Sequence, residues 1–244
     1  MGPASLKTEL QSALSARFGS YLNFQEKPAP ELLFTGIPEV DAIAGGLPRG
    51  CLTEIVGPPS SGRTSLLDSI LAAATSAGEI CALVDAGDSF DPETAAAAGV
   101  NLDQLLWVRC GARPADALKA TDLLLQGGGF GMVVLDLGDI PPRQVRRIPL
   151  TSWFRFRRGV EHKPTCLVAI EQEPCAKSCA SLVLEMRRQR ECWSGAAGCS
   201  CLLDGAVVQA ARRKPAGRDL TTKAQRHQES FLVSSCLGGS TRIA

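Results

Sequence analysis

Residues Leu52–Leu67 read LTEIVGPPSSGRTSLL. An apolar run of strand character leads into a glycine-framed loop, which opens a second apolar segment of helical character. Within it, Gly57–Ser65, GPPSSGRTS, fits the phosphate-binding loop pattern G-x-x-x-x-G-K-S/T at every defined position but one. Arg63 stands where the pattern has lysine. Glycines let backbone amides fold round phosphate oxygens, and a helix starting near Thr64 adds its positive end, so the stretch predicts an anion-binding loop between a strand and a helix.

The pattern alternates outward from this stretch. Cys51–Val56, Ile80–Val84, Leu105–Cys110, Met132–Asp136 and Thr165–Ile170 read as strands; Thr64–Ser76, Pro92–Ala98 and Pro114–Gln126 read as helices. Strands separated by helical segments imply βαβ units, hence an α/β fold with a mostly parallel, doubly wound sheet and helices on both faces. Ser181–Arg187 and Leu202–Ala210 are strand-like with no helix between them, which predicts an antiparallel extension at the C-terminal end. Phe34–Gly50 reads as a short helix ended by glycines, opening a core over residues 34–213. Before it, Leu6, Leu10, Leu14 and Phe18 space an amphipathic helix, and Gly19–Glu31 a proline-bearing linker. After it, residues 214–244 lack periodicity and read as a loosely ordered tail.

The bulk numbers are those of a globular protein. The chain has 244 residues, 45% apolar and 21% charged, with a formal net charge of +1, so global charge argues neither for nor against a polyanionic partner. No stretch has the apolar length of a membrane span, and the first residues, with Glu9 and Arg17, lack a secretory core; a cytoplasmic location is expected. Of ten cysteines, Cys51, Cys81, Cys110 and Cys166 sit in apolar runs and read as core. The spacings among Cys175, Cys179, Cys192, Cys199 and Cys201 are not those of a zinc ribbon, and reduced thiols are expected.

Asp136, closing the apolar strand MVVLD, completes a nucleotide site in which Thr64 would hold Mg²⁺ with Asp136 as its partner and ATP as the ligand. Arginine is a longer planar fork than lysine, so Arg63 weakens the case for catalysis more than that for binding. Arg143, Arg146, Arg147, Arg155, Arg157, Arg158 and Lys163 face only Glu161 across Arg143–Lys163, which reads as a patch for phosphate backbone or an acidic partner. The bland alternative is a solvated helix face anchored by Trp153 and Phe156.

GCLTEIVGPPSSGRTS, Ile80–Arg109 and FGMVVLD at Phe130–Asp136 resemble the RecA recombinase core in order and spacing, with Asp85–Pro92 matching its D-A-x-x-x-x-D-P signature. The resemblance covers about Thr35–Arg213 and implies a RecA-like P-loop fold. It also exposes departures. Where RecA has the glutamate that activates water, this chain has Gly87; Asp88 is displaced by one residue; the adenine-stacking tyrosine is Thr94. RecA's two DNA loops would follow Asp136 and Gln172, and both are short here. The combination most resembles the ImuA-type, or SulA-like, proteins of bacterial mutagenic repair. That resemblance implies a non-catalytic accessory role in the SOS response and translesion synthesis. The partners it implies are RecA, a Y-family polymerase-like protein of the ImuB type and an alternative replicative polymerase. Self-association and DNA contact stay open, as does the alternative of an ATP-dependent RecA-like recombinase. A KaiC-type or transport ATPase would need the lysine and an acidic catalytic residue.

Overall fold

The computed structural model describes residues 9, 30–194, 202–214 and 228–234. The expected helix at Leu6–Phe18 lies outside them but for Glu9, as does most of the linker. Strands β1 (Leu32–Leu33) and β2 (Leu47–Pro48) form a small antiparallel ribbon around helix α1 (Pro38–Ala44). Proline at the start of α1 presets its first turn, and Gly45 at φ 73° ends it.

The main sheet holds β3 (Leu52–Val56), β4 (Cys81–Asp85), β5 (Leu105–Arg109), β6 (Met132–Asp136), β7 (Cys166–Glu171), β8 (Ala180–Ser194), β9 (Leu202–Lys214) and β10 (Gln228–Ser234). Its order is β10-β9-β8-β3-β7-β6-β4-β5. Pairings from β8 to β5 are parallel, while β9 and β10 are antiparallel additions. The predicted α/β architecture and its antiparallel extension are both present. Within residues 214–244, read from the sequence as a loosely ordered tail and mostly outside the described residues, Gln228–Ser234 form β10, paired with β9 along its whole length. Its backbone groups are met by a strand edge that the segment's own sequence pattern does not reveal.

Every residue of β3, β4 and β7 is buried, as befits central parallel strands covered on both faces. One face carries α1, α2 (Arg63–Ser76) and α3 (Pro92–Ala97), with Leu66, Leu67, Ile70 and Ala95 in the core. The other carries α4 (Pro114–Gly127), α5 (Pro142–Val145) and α6 (Leu150–Val160), with Ala117, Leu125, Trp153 and Phe156 in the core. Trp153 and Phe156 meet edge to face at 6.0 Å, and burying side chains of this kind stabilises by about 1.5–3 kcal/mol each. Their place in the core accounts for the apolar stripe of the arginine-rich segment.

Candidate functional site

The C-terminal ends of β3, β4, β6 and β7 lie together by parallel register, so the loops after them share one edge of the sheet. After β3, Gly57 donates its N–H to the Glu171 carbonyl at 3.2 Å, and the chain turns with Ser61 N–H on Pro58 O at 3.2 Å. A Cβ on Gly57 would lie 2.4 Å from Met186 O, so β8 passes too close for any other residue. Gly62, at φ 87°, faces Val208 of β9 in the same way, a Cβ there falling 2.9 Å from the valine Cγ2. Pro58, Pro59 and Ser60 are exposed at the crest of the loop, Thr64 is exposed and Ser65 half-buried. Helix α2 starts at Arg63 with no side-chain cap and no acid in its first turn. Its first amides and the positive end of its dipole are thereby left to an anion. Ser61 is 1% exposed and its Oγ has no protein partner.

Arg63 is 7% exposed. Its side chain runs to the turn after β6, where Nη2 donates to Gly138 O at 3.4 Å and Nη1 is without a partner. Burial lowers the guanidinium pKa, and the charges of Asp136 and Asp139 oppose that shift. Asp136 Oδ1 accepts from Gly138 N–H at 2.8 Å. Burial pushes the Asp136 carboxyl up to about 6, with Asp85 and Asp139 adding to the rise while the Gly138 amide and Arg63 counter it. One turn into α2, buried Asp68 is also raised to about 6, first by desolvation and then by Asp136 and Asp91. Arg63, Asp68 and Asp136 are thus perturbed together, with the charges of Asp85 and Asp139 contributing to Asp136, a concentration of the kind that marks functional sites.

The Asp85–Pro92 signature is held by its own side chains. Asp85 Oδ2 accepts from Phe90 N–H at 3.0 Å and from Trp107 Nε1–H at 3.3 Å, and the two rings meet edge to face at 5.3 Å. Asp91 caps α3, accepting from Glu93 N–H at 3.2 Å, and the Thr94 hydroxyl is spent on Asp91. Asp88, at φ 60°, points to Arg109, which donates to it through both Nε and Nη2. It is therefore engaged away from the loop, as its displacement in sequence suggests. Beside Gly87 stands Asp139, whose Cβ would be 3.0 Å from a Cβ built on the glycine.

Behind the loop, Glu54 Oε1 accepts from the amides of Cys175 and Ala176, both at 2.7 Å, tying the β7–β8 connection to β3. Glu171 on the same face is fully buried, and desolvation with the like charge of Glu54 holds its pKa well above the ordinary carboxylate range. The connections that would correspond to RecA's DNA loops are short: residues 137–141 precede α5, and residues 172–179 join β7 to β8. Gln172 at the start of the second donates to Gly138 O at 2.9 Å, so both connections meet at the turn that Arg63 reaches.

The six arginines are all exposed, but the fold divides them. Arg143, Arg146 and Arg147 lie on and just after α5 at the loop edge, with Arg146 paired to Glu173. Arg155, Arg157 and Arg158 lie on α6, where Arg155 pairs with Asp122 of α4 at 3.0 Å. Lys163 is spent on Leu125 O. The single patch of the sequence becomes two neighbouring sets.

Sequence reasoning missed Asp68 and Asp139. Asp68 sits one turn past Thr64, a spacing that puts both on the same side of a helix, and this is the signal that was available. Asp139 has no such signal, since only the fold brings it to Gly87. Among the described residues, Cys81, Cys110 and Cys166 are buried, Cys51 is half-buried, no disulfide occurs, and no group of three metal-ligating side chains exists. Thr64 and Asp136 are donor types that Mg²⁺ accepts, and the Arg63 guanidinium donates to the Gly138 carbonyl on the turn that follows Asp136. The uncapped helix start and the glycine loop fit an anion.

The sheet, the glycine loop and the acid closing β6 define an α/β protein with a P-loop fold. Comparison with known proteins narrows this to a RecA-like one. Residues 25–143 match the model of the RecA N-terminal domain. Protein RecA of Pseudomonas fluorescens (strain Pf0-1) is 40% identical over 114 residues, which cover 46% of this chain and 32% of that protein. Protein RecA of Chloroflexus aurantiacus is 42% identical over 142 residues, covering 52% and 40% respectively. The aligned part of this chain thus spans well under half the length of these relatives. The crystal structure of the RadB recombinase shares the fold with a TM-score of 0.62 at 16% identity, over 84% of this chain and 97% of that one. The chain is therefore related to RecA through residues 25–143 and carries a RecA-like fold. No helix among the described residues is long and apolar enough to cross a membrane.

Proposed function

We propose that this chain is a non-catalytic RecA-like accessory protein of the bacterial DNA damage response. In this reading it supports translesion synthesis through contacts with RecA, a Y-family polymerase-like partner and an alternative replicative polymerase, as in ImuA-type proteins. The observation that carries the reading is the pairing of Gly87 with Arg63. No side chain at Gly87 can activate water, and the cation of the loop is committed to the Asp136–Gly138 turn rather than standing free at the phosphates. The short connections after β6 and β7 support it, because strand exchange by a RecA core is the work of long loops at those places. A nucleoside triphosphate held at Gly57–Ser65 then acts as a structural ligand.

One observation favours a second reading, an ATP-dependent DNA-binding ATPase: exposed Asp139 stands beside Gly87 and offers a carboxylate near the vacated position. Turnover of ATP by the purified chain, with and without single-stranded DNA, separates the two. The accessory reading expects no DNA-stimulated hydrolysis above background. It also expects that deleting Met1–Gly19 weakens association with RecA or with itself while the thermal melt stays unchanged. Steady hydrolysis that Asp139→Asn abolishes would establish the ATPase instead.

A further inference from the structure

A cavity of about 460 Å³ opens to solvent between α4 and α6, on the sheet face away from the phosphate loop's helix α2. Both helices return the chain from the loop edge of the parallel sheet to its opposite edge, so Leu125 and Arg158, in their last turns, lie away from Gly57–Ser65. Gly159 sets the approach of the two helices: a Cβ there would stand 3.3 Å from Leu125 Cβ. Arg155 and Asp122 pair across the seam at 3.0 Å. Buried Leu125 and Phe154, 42% exposed, give the cavity its apolar lining. Leu150, Phe154 and Arg158 recur at i, i+4 along α6, which places them on one exposed face of the helix. The rim is basic. Arg155 and Arg158 line the cavity with one acid, Asp122, which is already paired, and Arg157 adds a further exposed cation in the last turn of α6.

We propose that the α4–α6 groove docks a short acidic amphipathic segment of a partner protein. A leucine or aromatic side chain of that segment enters the cavity against Leu125 and Phe154, and its Asp or Glu residues meet Arg158 and Arg157. The space is of the size that ligand groups fill, and an apolar floor with a charged rim is the form in which amphipathic segments are recognised. The sign of the rim selects the partner's charge. The chain's own apolar stripe, Leu6–Phe18, carries Lys7 and Arg17 against Glu9 and so lacks the complementary charge. A phosphate backbone offers charge but nothing for the apolar lining. The groove does this whether or not Gly57–Ser65 holds a nucleotide, and whether or not the chain serves translesion synthesis.

The test is selection of a displayed random library of peptides about 16 residues long on the immobilised full chain. The enriched peptides are then titrated by fluorescence anisotropy against the native chain, Phe154→Ala and Arg158→Glu, whose folding is checked by thermal melt; both positions are exposed. The enriched peptides are expected to be acidic, with leucine or aromatic residues at i, i+3 or i, i+4, and to lose about tenfold or more in affinity with either variant. Arg158→Glu should in turn bind their lysine-for-acid counterparts about threefold better than the native chain does. Enrichment of neutral or basic peptides, no enrichment, or equal binding by all three proteins overturns the proposal. So does a Met1–Gly19 peptide or a single-stranded oligonucleotide that binds the native chain and not Phe154→Ala, since the groove would then belong to a second copy of this chain or to nucleic acid. Each of these failures leaves the accessory reading to stand or fall on ATP turnover.

Discussion

Replacing Gly62 by alanine tests the closure of β9 over the loop. Gly62 adopts φ 87°, and its missing Cβ would stand 2.9 Å from Val208 Cγ2 and 3.2 Å from Cγ1. Forcing an L-residue into left-handed backbone costs about 1–2 kcal/mol. Pressing a methyl into the buried face of Val208 adds about 1–3 kcal/mol, as overpacking does elsewhere. Gly62→Ala should therefore lose about 2–5 kcal/mol of unfolding free energy in urea denaturation, a large share of the stability of a typical domain. Val208→Ala removes buried methyl groups and should cost about 1–2 kcal/mol on its own. In the double variant the clash is relieved and the backbone strain is not, so its loss should fall short of the sum by about 1–3 kcal/mol. Additive losses would show that β9 does not cover the loop. A Gly62→Ala variant within about 0.5 kcal/mol of the native protein would refute both the clash and the strained backbone.

Two further outcomes follow from the charges. Glu171 has its folded-state pKa raised by burial and by Glu54, so the stability it contributes is complete below the unfolded value near 4.5 and is lost as pH rises through the folded value. Glu171→Gln should match or fall below the native protein at pH 4 and exceed it by more than about 1 kcal/mol at pH 8, since each tenfold change in proton affinity on folding is worth about 1.4 kcal/mol. Parallel stability profiles for the two proteins would contradict a neutral buried carboxyl. If the loop-edge arginines contact DNA backbone, replacing Arg143, Arg146 and Arg147 together by alanine should reduce the salt dependence of single-stranded DNA binding by about 2 in log–log slope. An unchanged slope would assign this set to a protein partner.

The sequence by itself determined the parts whose cause is local. The order of strands and helices follows from apolar runs and their spacing, and their ends lie within a residue or two of the observed ones at β3, α2, α4 and β6. The glycines of Gly57–Ser65 were legible because a turn of that shape has few residue solutions, and Asp136 because an acid closing an apolar strand interrupts its pattern. Trp153 and Phe156 were legible as anchors from their helical spacing. Tertiary structure decided which elements became neighbours, and periodicity carries no information about that. It set β3 between β7 and β8, laid Met186 and Val208 against the loop glycines, and gave the tail a partner in β9. It also turned Arg63 toward Gly138, brought Asp139 to Gly87 and divided the arginines between two helices. Each of these depends on segments far apart in the chain being closed together by burial of both sheet faces, so only the folded sheet places the charges that give this loop its character.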